Sequence, residues 1–523
     1  MSIAGTVAVG GVVMTLLTGV QPVPSTESVV RTASGAVRGQ VHAGYRSFEG
    51  IPYAAPPVGT LRWQAPQPVR PWSGVRAAVQ PGNRCAQVAS PSAGTPGSTS
   101  EDCLYLNVTA PAGADRNLPV LVYVHGGGLS SGAGSDLVPR RLAVGGHAVV
   151  VTLNYRLGVF GFFGAPGLTG SGTFGLQDQQ AALRWVQQNI AAFGGDPRRT
   201  TLFGESGGGD SVCGQFVSPA ARGLFSRVMI QTGTCSTANP VDALIPGAGA
   251  KVASWQPVAT VQRAGQDVAA KFGCTTAVLD CLRTLPTTRL LTDPAVAVAY
   301  WGPAYGTPTL PEHPATAIEH GRYPRIPVLI GTTKDEGTIL VALADQAKDI
   351  TAYRDLLHRA FGDRAGEVER AYPVRPGVSP AAAWSAIVGD RAYVCPNQET
   401  ERTLARRVPT YAYEFADQNA PVIFHIDADF ALGAYHGSDV PYLWDDPAGA
   451  ATFTLSAPQQ RLSRTMIDYV ARFAATGDPN GVSTPYWPRT GWFAPGPQVL
   501  EPGRVRPADT ATTHHCELWS ALR

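Results

Sequence analysis

The stretch "TTLFGESGGGD" at residues 200–210 decides the fold, because it passes from an apolar run into a serine surrounded by glycines. Glycine adopts backbone angles with positive φ and lets other groups approach closely, at a cost in stability. An isolated G-x-S-x-G sequence is usually a flexible surface turn. The alternative is a nucleophile elbow, in which Ser206 occupies a strained turn between a strand and a helix with its hydroxyl exposed. The flanking sequence decides between the two.

Apolar runs without alternation, separated by long segments, indicate parallel strands that are buried on both faces. They occur at residues 119–124, 148–155, 200–203, 227–231 and 326–331. Between the second and third runs, the spacing of Leu183, Val186, Ile190 and Phe193 places them on one face of a helix. A similar helical pattern follows at residues 461–480. This order predicts the α/β class, with a central, mostly parallel sheet flanked by helices.

The context of Ser206 favours the elbow. The run "TTLF" is a short buried strand, and "GGDSVCGQFVS" at residues 208–218 can begin a helix. Ser206 therefore lies at a corner between a strand and a helix, which a flexible loop does not explain.

A serine hydroxyl is a weak nucleophile that needs a base, and the base needs an acid to orient it. On this fold class the chain order is serine, acid, histidine. Asp335 and Glu336 follow the run at residues 326–331, and either carboxylate can orient an imidazole. The later histidines are His358, in a charged helical stretch; His425, in a stretch that alternates like a strand; His436, in a glycine-flanked loop; and His514 and His515, beside Cys516. We favour His436, because its loop can reach across the sheet edge.

Hydrolysis by a serine also needs donors for the oxyanion. The stretch "YVHGGGLSSG" at residues 123–132 follows a strong strand and contains the HGGG motif found in esterases and lipases. It is not a phosphate-binding loop, because the G-K-[ST] sequence is missing.

Composition narrows the class of protein. The chain has 523 residues and a net charge of +2 without basic runs, which gives no reason to expect nucleic acid or a stable membrane association. Residues 3–20 are apolar, and we expect residues 1–25 to be a secretory signal rather than a membrane anchor. The eight cysteines form no C-x-x-C pair, which favours disulfides in an exported protein. We interpret "HHC" at residues 514–516 as structural, and no motif requires a metal or a cofactor.

The chain resembles the type B carboxylesterases. The similarity covers roughly residues 27–523 and rests on "EDCLYLNVTAP" (101–111), "FGGDPRRTTLFGESGG" (193–208), "GIPYAAPPVGTLRW" (50–63), "NYRLGVFGF" (154–162) and "KDEG" (334–337). It implies an α/β-hydrolase fold with inserted helical segments around the active site. It also implies a secreted esterase that forms an acyl-enzyme, with Ser206 as nucleophile, Glu336 as acid and His436 as base. The oxyanion would be bound by the backbone N–H groups of Gly127, Gly128 and Gly207.

Further expectations follow from the same resemblance. Spacing and resemblance together imply the disulfides Cys85–Cys103, Cys274–Cys281 and Cys395–Cys516, and we expect the remaining pair, Cys213 and Cys235, to be joined as well. We expect residues 26–523 to form one domain, a monomer that acts on a small ester. Glu205, Asp439 and Thr232 are expected to lie just behind the catalytic residues. We expect Asp439 to hydrogen-bond near Thr232 and to support the histidine loop; the alternative for Asp439 and Glu205 is a solvated loop acid. The rival hypothesis is a relative that has lost catalysis and binds partners.

Some positions depart from the family pattern. Gly207 stands where alanine is usual, Leu129 where phenylalanine or tryptophan is common, and Thr232 where serine is frequent. The loop from Cys85 to Cys103 lacks any aromatic residue, whereas cholinesterases carry a tryptophan there. We therefore expect neutral esters to be better substrates than choline esters.

Overall fold

The computed structural model of this chain describes residues 27–90, 94–113, 115–236, 239–240, 242, 254–297, 299–446, 453–491 and 496–522. The expected signal at residues 1–25 lies outside the described residues. The strands are β1 (Glu27–Thr32), β2 (Gly35–His42), β3 (Tyr45–Pro52), β4 (Val75–Ala77), β5 (Tyr105–Pro111), β6 (Leu118–Val124), β7 (Val149–Leu153), β8 (Gly195–Glu205), β9 (Arg227–Gln231), β10 (Gln256–Pro257), β11 (Ala304–Tyr305), β12 (Val328–Thr333), β13 (Thr410–Phe415), β14 (Gln498–Glu501) and β15 (Arg504–Pro507).

The helices lie between these strands. They are α1 (Arg140–Gly145), α2 (Gly158–Phe162), α3 (Phe174–Asn189), α4 (Gly207–Val217), α5 (Val258–Lys271), α6 (Val278–Arg283), α7 (Thr287–Thr292), α8 (Pro294–Ala297), α9 (Pro314–Glu319), α10 (Gly337–Ala344), α11 (Ile350–Phe361), α12 (Ala365–Ala371), α13 (Pro380–Gly389), α14 (Cys395–Ala405), α15 (Val440–Leu443), α16 (Ala457–Thr476) and α17 (Cys516–Ala521). A π-helical segment, Asp390–Val394, joins α13 to α14.

One large sheet organises the chain. Its main path has the order β1-β2-β3-β5-β7-β6-β8-β9-β12-β13-β14-β15, with β4 paired to β2. The strands from β7 to β14 along this path are parallel, whereas the strands towards β1 and the β14–β15 pair are antiparallel. The predicted α/β class and mostly parallel sheet are confirmed.

Strand β6 shows why its sequence is apolar throughout. Val120, Val122 and Val124 belong to the hydrophobic cluster on one face of the sheet, and Leu121 and Tyr123 belong to the cluster on the other. Helices cover both faces, so a strand buried on both sides has no polar alternation. Helix α3 packs in the first cluster and α16 in the second.

Helix α16 carries clear boundary signals. Ser456 and Gln459 form a capping box at its start, and Gly477, with φ of 83°, ends it. The apolar face of the helix packs against the sheet, in the same cluster as Leu121 and Tyr123 of β6.

Two helical insertions lie on the chain between neighbouring strands of the sheet. Helices α5 to α9 separate β9 from β12, and α10 to α14 separate β12 from β13. Both insertions contribute residues to the surroundings of the candidate active site. No helix in the described part of the chain combines the length and the apolarity needed to cross a bilayer.

Candidate active site

Ser206 lies at a strained corner of the backbone. Strand β8 ends at Glu205, helix α4 begins at Gly207, and Ser206 between them has φ of 56° and ψ of −125°. A non-glycine residue at positive φ is a strained conformation that is frequent at functional sites. A Cβ on Gly208 would lie 2.0 Å from the carbonyl oxygen of Val124, and one on Gly204 would lie 2.5 Å from the backbone of Gly208. The glycines are therefore needed for close packing of the elbow against β6.

Ser206, His436 and Glu336 form a continuous hydrogen-bonded chain. The distance from Ser206 Oγ to His436 Nε2 is 2.8 Å, and the distance from His436 Nδ1 to Glu336 Oε2 is 2.5 Å. Glu336 is completely buried, and its Oε1 accepts a hydrogen bond of 2.8 Å from the N–H of Thr333. With a proton on Nδ1, the imidazole donates to the carboxylate and leaves Nε2 free to accept the serine proton.

Asp335 has a different set of contacts. Its Oδ2 accepts hydrogen bonds from the N–H of Ala434, at 2.9 Å, and from Nε2 of Gln418, at 2.7 Å. Successive residues leaving a strand project in different directions, and only Glu336 points towards His436. Asp335 instead fastens the loop that carries His436.

The carboxylates around His436 control its charge. Burial of the imidazole opposes protonation, but the charge and the hydrogen bond of Glu336, with the charge of Glu205, outweigh it and raise the pKa of His436 above its ordinary value. The protonated form of the His436 imidazole is therefore stabilised in this site.

The glycine-rich loop after β6 lies against Ser206. Gly127 and Gly128 have φ of 94° and 59°, and a Cβ on Gly207 would lie 3.2 Å from the backbone nitrogen of Gly128. Within the described residues, the N–H groups of Gly127, Gly128 and Gly207 have no protein acceptor. Unpaired backbone donors gathered beside a nucleophile can bind a developing oxyanion.

Glu205 and Thr232 lie next to the serine. The hydroxyl of Thr232 donates to Glu205 Oε1 at 3.0 Å, and the same oxygen lies 3.6 Å from His436 Nε2. Burial raises the pKa of Glu205 to about 7, against the opposing charge of His436. The carboxyl group of Glu205 thus lies close to His436 Nε2, the nitrogen that is hydrogen-bonded to Ser206.

Asp439 hydrogen-bonds near Thr232, as expected, but through the neighbouring residue. Its Oδ2 accepts hydrogen bonds from the hydroxyl of Tyr413, at 3.1 Å, and from Nε2 of Gln231, at 3.3 Å, so its link is to the neighbour of Thr232 and not to Thr232 itself. Its Oδ1 has no partner among the described residues. Burial, with the charge of Glu336, raises the pKa of Asp439 to about 6.

The four other histidines considered as the base are not hydrogen-bonded to Ser206. His358 is exposed on α11, His425 is exposed in an irregular segment, and His515 is exposed before α17. The strand-like alternation around His425 was misleading, because residues 421–434 form no strand. His514 is buried between Asp390 and Glu414.

Sequence reasoning missed Tyr393 and the walls of the pocket. The Tyr393 ring centroid lies 5.2 Å from that of His436. A pocket of about 460 Å³ opens beside Gly128. Its wall includes Gln87, Val88, Ala89, Ser90, Leu157, Val159, Leu290, Leu291, Val296, Tyr300 and Trp301. Residues 157 and 159 lie in the motif at 154–162, and residues 87–90 lie in the loop from Cys85 to Cys103 whose lack of aromatic residues bears on the substrate. The remaining wall residues, from 290 to 301, belong to no motif, so the sequence carried no signal for them.

The structure contains four disulfides, with the pairing that the sequence led us to expect. They are Cys85–Cys103, Cys213–Cys235, Cys274–Cys281 and Cys395–Cys516. The first lies at the base of the loop that supplies Gln87 to Ser90 to the pocket wall.

Comparison with known proteins agrees with this geometry. A family model described as "Carboxylesterase family" matches residues 26–519. The chain is 33% identical over 514 residues to pyrethroid hydrolase Ces2e of Rattus norvegicus, covering 90% of this chain and 85% of the relative. It is 33% identical over 470 residues to para-nitrobenzyl esterase of Bacillus subtilis, covering 87% and 91%. A solved PNB esterase structure superposes with a TM-score of 0.76 at 29% identity, covering 93% of this chain and 99% of that one, and the fold is that of an α/β-hydrolase.

Proposed function

This chain belongs to the carboxylesterase family, and on that premise we propose that it hydrolyses neutral carboxylic esters through an acyl-enzyme on Ser206. The observation that carries the proposal is the hydrogen-bonded chain from Ser206 Oγ through His436 to Glu336, at 2.8 and 2.5 Å. The nucleophile and the base are within direct proton-transfer distance, and a buried carboxylate orients the base.

The first half of the reaction forms the acyl-enzyme. Ser206 Oγ attacks the ester carbonyl carbon while His436 Nε2 takes the serine proton, and the N–H groups of Gly127, Gly128 and Gly207 bind the oxyanion. When the tetrahedral intermediate collapses, the carbon–oxygen bond to the alcohol breaks. The alcohol leaves with the proton from His436, while Glu336 stabilises the imidazolium throughout.

The second half repeats these proton transfers with water. His436 removes a proton from a water molecule that attacks the acyl carbon, and the same N–H groups bind the second oxyanion. Collapse returns the proton to Ser206 Oγ and releases the carboxylic acid. Every proton taken is returned, so no cofactor enters the scheme.

Labelling with an organophosphate tests this function. A fluorophosphonate should inactivate the enzyme with a stoichiometry of one and leave its phosphonyl group on the peptide that contains Ser206. Ser206→Ala should be neither labelled nor active, and Ser130→Ala, a hydroxyl on the neighbouring loop, should be labelled normally. Absence of labelling on folded protein would contradict catalysis and favour a binding role.

The apolar pocket supports neutral esters as the substrate class. The wall beside Gly128 is mostly apolar, with alanine, valine and leucine side chains and Trp301 beside a few serines, and it can hold an acyl or alcohol group of moderate size. A series of p-nitrophenyl esters of increasing acyl length tests this. We expect kcat/KM to peak at a short or medium acyl chain and to fall for long chains, and a maximum at the longest chain would point to lipids instead.

We further propose that residues 26–523 act as one exported, monomeric domain. Four disulfides favour an oxidising compartment. N-terminal sequencing of protein secreted by a host cell tests export, since the mature protein should begin near residue 26. Sedimentation at equilibrium tests the oligomeric state, and a mass of twice the chain would refute the monomer.

A further inference from the structure

A second histidine is buried between two carboxylates away from Ser206. His514 Nδ1 lies 2.5 Å from Asp390 Oδ1, and His514 Nε2 lies 2.8 Å from Glu414 Oε2. The three residues are 4%, 5% and 4% exposed in the order His514, Asp390, Glu414. Burial opposes protonation of the imidazole, but the charges and hydrogen bonds of Asp390 and Glu414 outweigh it and raise the pKa of His514 to about 10. The protonated imidazole can donate to a carboxylate from both nitrogens, and we call these three residues the buried triad.

The buried triad joins three separate parts of the chain. Glu414 belongs to strand β13, Asp390 begins the π-helical segment, and His514 precedes helix α17. The disulfide Cys395–Cys516 crosses the same place, because Cys395 follows the π-helical segment and Cys516 follows the histidines. The position of the π-helical segment relative to the sheet therefore depends on these contacts.

Asp390 has a further partner on its other oxygen. The hydroxyl of Tyr372 donates to Asp390 Oδ2 at 2.8 Å, and Nε1 of Trp519 donates to that hydroxyl at 2.8 Å. Both aromatic residues are buried. Asp390 is thus held on both oxygens, and His514 supplies the partner of Oδ1.

The π-helical segment touches two members of the candidate active site. Tyr393 places its ring 5.2 Å from the His436 ring. Gly389, the residue before Asp390, packs so closely that a Cβ there would lie 2.9 Å from the nitrogen of Gly337 and 3.4 Å from Cβ of Glu336. π-helical turns are rare and occur frequently at functional sites. Here the turn places the ring of Tyr393 beside His436 and the backbone of Gly389 beside Glu336.

We propose that His514 is a positioning residue of the active site, which fixes Asp390 and thereby holds Gly389 against Glu336 and Tyr393 against His436. The proposal rests on the proposed function of Ser206, His436 and Glu336. Removing one partner of a buried charged group leaves the others uncompensated, so the loss of His514 should displace Asp390 towards water. The displacement would pass to both contacts, which set the hydrogen bond between His436 and Glu336.

His514→Gln tests the proposal, with His358→Gln as the matched control. His358 is exposed on helix α11, whose Leu356 and Leu357 belong to the same hydrophobic cluster as Cys516 and Trp519. Activity is expressed per site titrated with a fluorophosphonate, well below the melting temperature. We expect His514→Gln to lower kcat about tenfold or more with KM within about twofold, because misplacement of a catalytic group affects the transition state. His358→Gln should match wild type.

The titration separates the two hypotheses. Failure of the wild type to label would contradict the proposed function, whereas normal labelling with an unchanged kcat in His514→Gln would overturn the positioning role alone.

Glu414→Gln covers the case in which His514→Gln does not fold, because it keeps the size of the side chain and an acceptor for Nε2. We expect it to lower kcat per site about threefold, and a lower melting temperature with unchanged kcat would also overturn the proposal.

A double-mutant cycle tests whether the effect of His514 on His436 passes through Tyr393. In a Tyr393→Ala background the ring contact with His436 is already lost, so His514→Gln should have a smaller effect on kcat than in wild type. If the two substitutions lowered kcat by independent factors, the effect of His514 would not pass through Tyr393, and that part of the proposal would be overturned.

Discussion

Asp335 and Glu336 are neighbours in the sequence, yet they contact different parts of the molecule: Glu336 Oε2 lies 2.5 Å from His436 Nδ1, and Asp335 binds the backbone of Ala434. Residue type alone could not choose between the two carboxylates, and only the resemblance to the type B carboxylesterases favoured Glu336. The contacts make their roles separable by mutation.

Glu336→Gln should lower kcat by about four orders of magnitude while KM changes little, since an uncharged amide neither selects the tautomer nor stabilises the imidazolium. Asp335→Asn should lower kcat less than about tenfold, because an amide oxygen can still accept from Ala434 and only the loop is loosened. Both are measured as kcat and KM at the pH optimum on folded protein. The reverse ranking would assign the acid to Asp335.

The sequence predicted the central strands that carry this site better than the residues around the site. The apolar runs at residues 119–124 and 227–231 correspond to strands β6 and β9, because burial on both faces leaves a clear compositional signal. The antiparallel strands β1 to β3 were missed, since their exposed positions break up the apolar pattern.

Contacts between distant segments were the other limit. His514 could be recognised as structural, but its pairing with Asp390 spans 124 residues and no local pattern announces it. The ring of Tyr393 reaches His436 from the π-helical segment that joins α13 to α14, and no local sequence pattern indicates such a segment. For Asp439, the sequence indicated the region of its partners but not that Tyr413 and Gln231 would supply the donors.

Gly207→Ala should reduce activity although alanine is usual in the family that this chain resembles. A Cβ at residue 207 would lie 2.9 Å from the nitrogen of Leu129 and 3.2 Å from that of Gly128, so the oxyanion loop would have to shift. We expect kcat to fall about tenfold, a fraction of the loss caused by removing one oxyanion donor. Gly366→Ala, in helix α12, is the control for helix propensity, because a Cβ there would meet only Nη1 of Arg370, at an ordinary contact distance of 3.7 Å. Equal kcat in wild type and Gly207→Ala would show that the loop accommodates the methyl group.

Asp439→Asn should change stability in a way that depends on pH. Burial and the charge of Glu336 raise the pKa of Asp439 to about 6, above the value of about 3.9 for a free aspartate. Ionisation of Asp439 therefore lowers the free energy of unfolding of the wild type. The loss is roughly 3 kcal/mol above about pH 6 and vanishes below about pH 4. Relative to wild type, the variant should gain melting temperature as pH rises from about 4 to about 8.

The same variant should also lower kcat several-fold, because a negative charge near the His436 imidazolium is lost. Thermal unfolding at both pH values and kcat at the optimum are the measurements. A stability difference that does not vary with pH, together with unchanged kcat, would mean that Asp439 supports neither the loop nor the charge of His436.

The disulfides should differ in their effect on stability according to the loop that each closes. Cys395–Cys516 spans 121 residues and Cys274–Cys281 spans 7. Closure entropy gives about 5 kcal/mol for the long loop and about 2 kcal/mol for the short one. Replacing each pair by serines and measuring urea unfolding tests the ranking. A larger loss for the short loop would mean that native contacts around α6, rather than chain entropy, determine its contribution.

Choline esters should be poor substrates, because a quaternary ammonium group needs an aromatic face. The loop from Cys85 to Cys103 has no aromatic residue in its sequence and supplies Gln87 and Val88 to the pocket. Trp301 also lines the pocket, but it is only 6% exposed, so its ring offers little free surface.

A desolvated cation–π contact is worth about 2 kcal/mol, or about 30-fold in kcat/KM. Acetylcholine should therefore show no advantage over 3,3-dimethylbutyl acetate, its uncharged isostere, and should be hydrolysed less efficiently because the ammonium must leave water without compensation. A kcat/KM for acetylcholine that equals or exceeds that of the isostere would reveal a cation site, and Tyr300→Ala would then show whether the tyrosine of the pocket wall forms it.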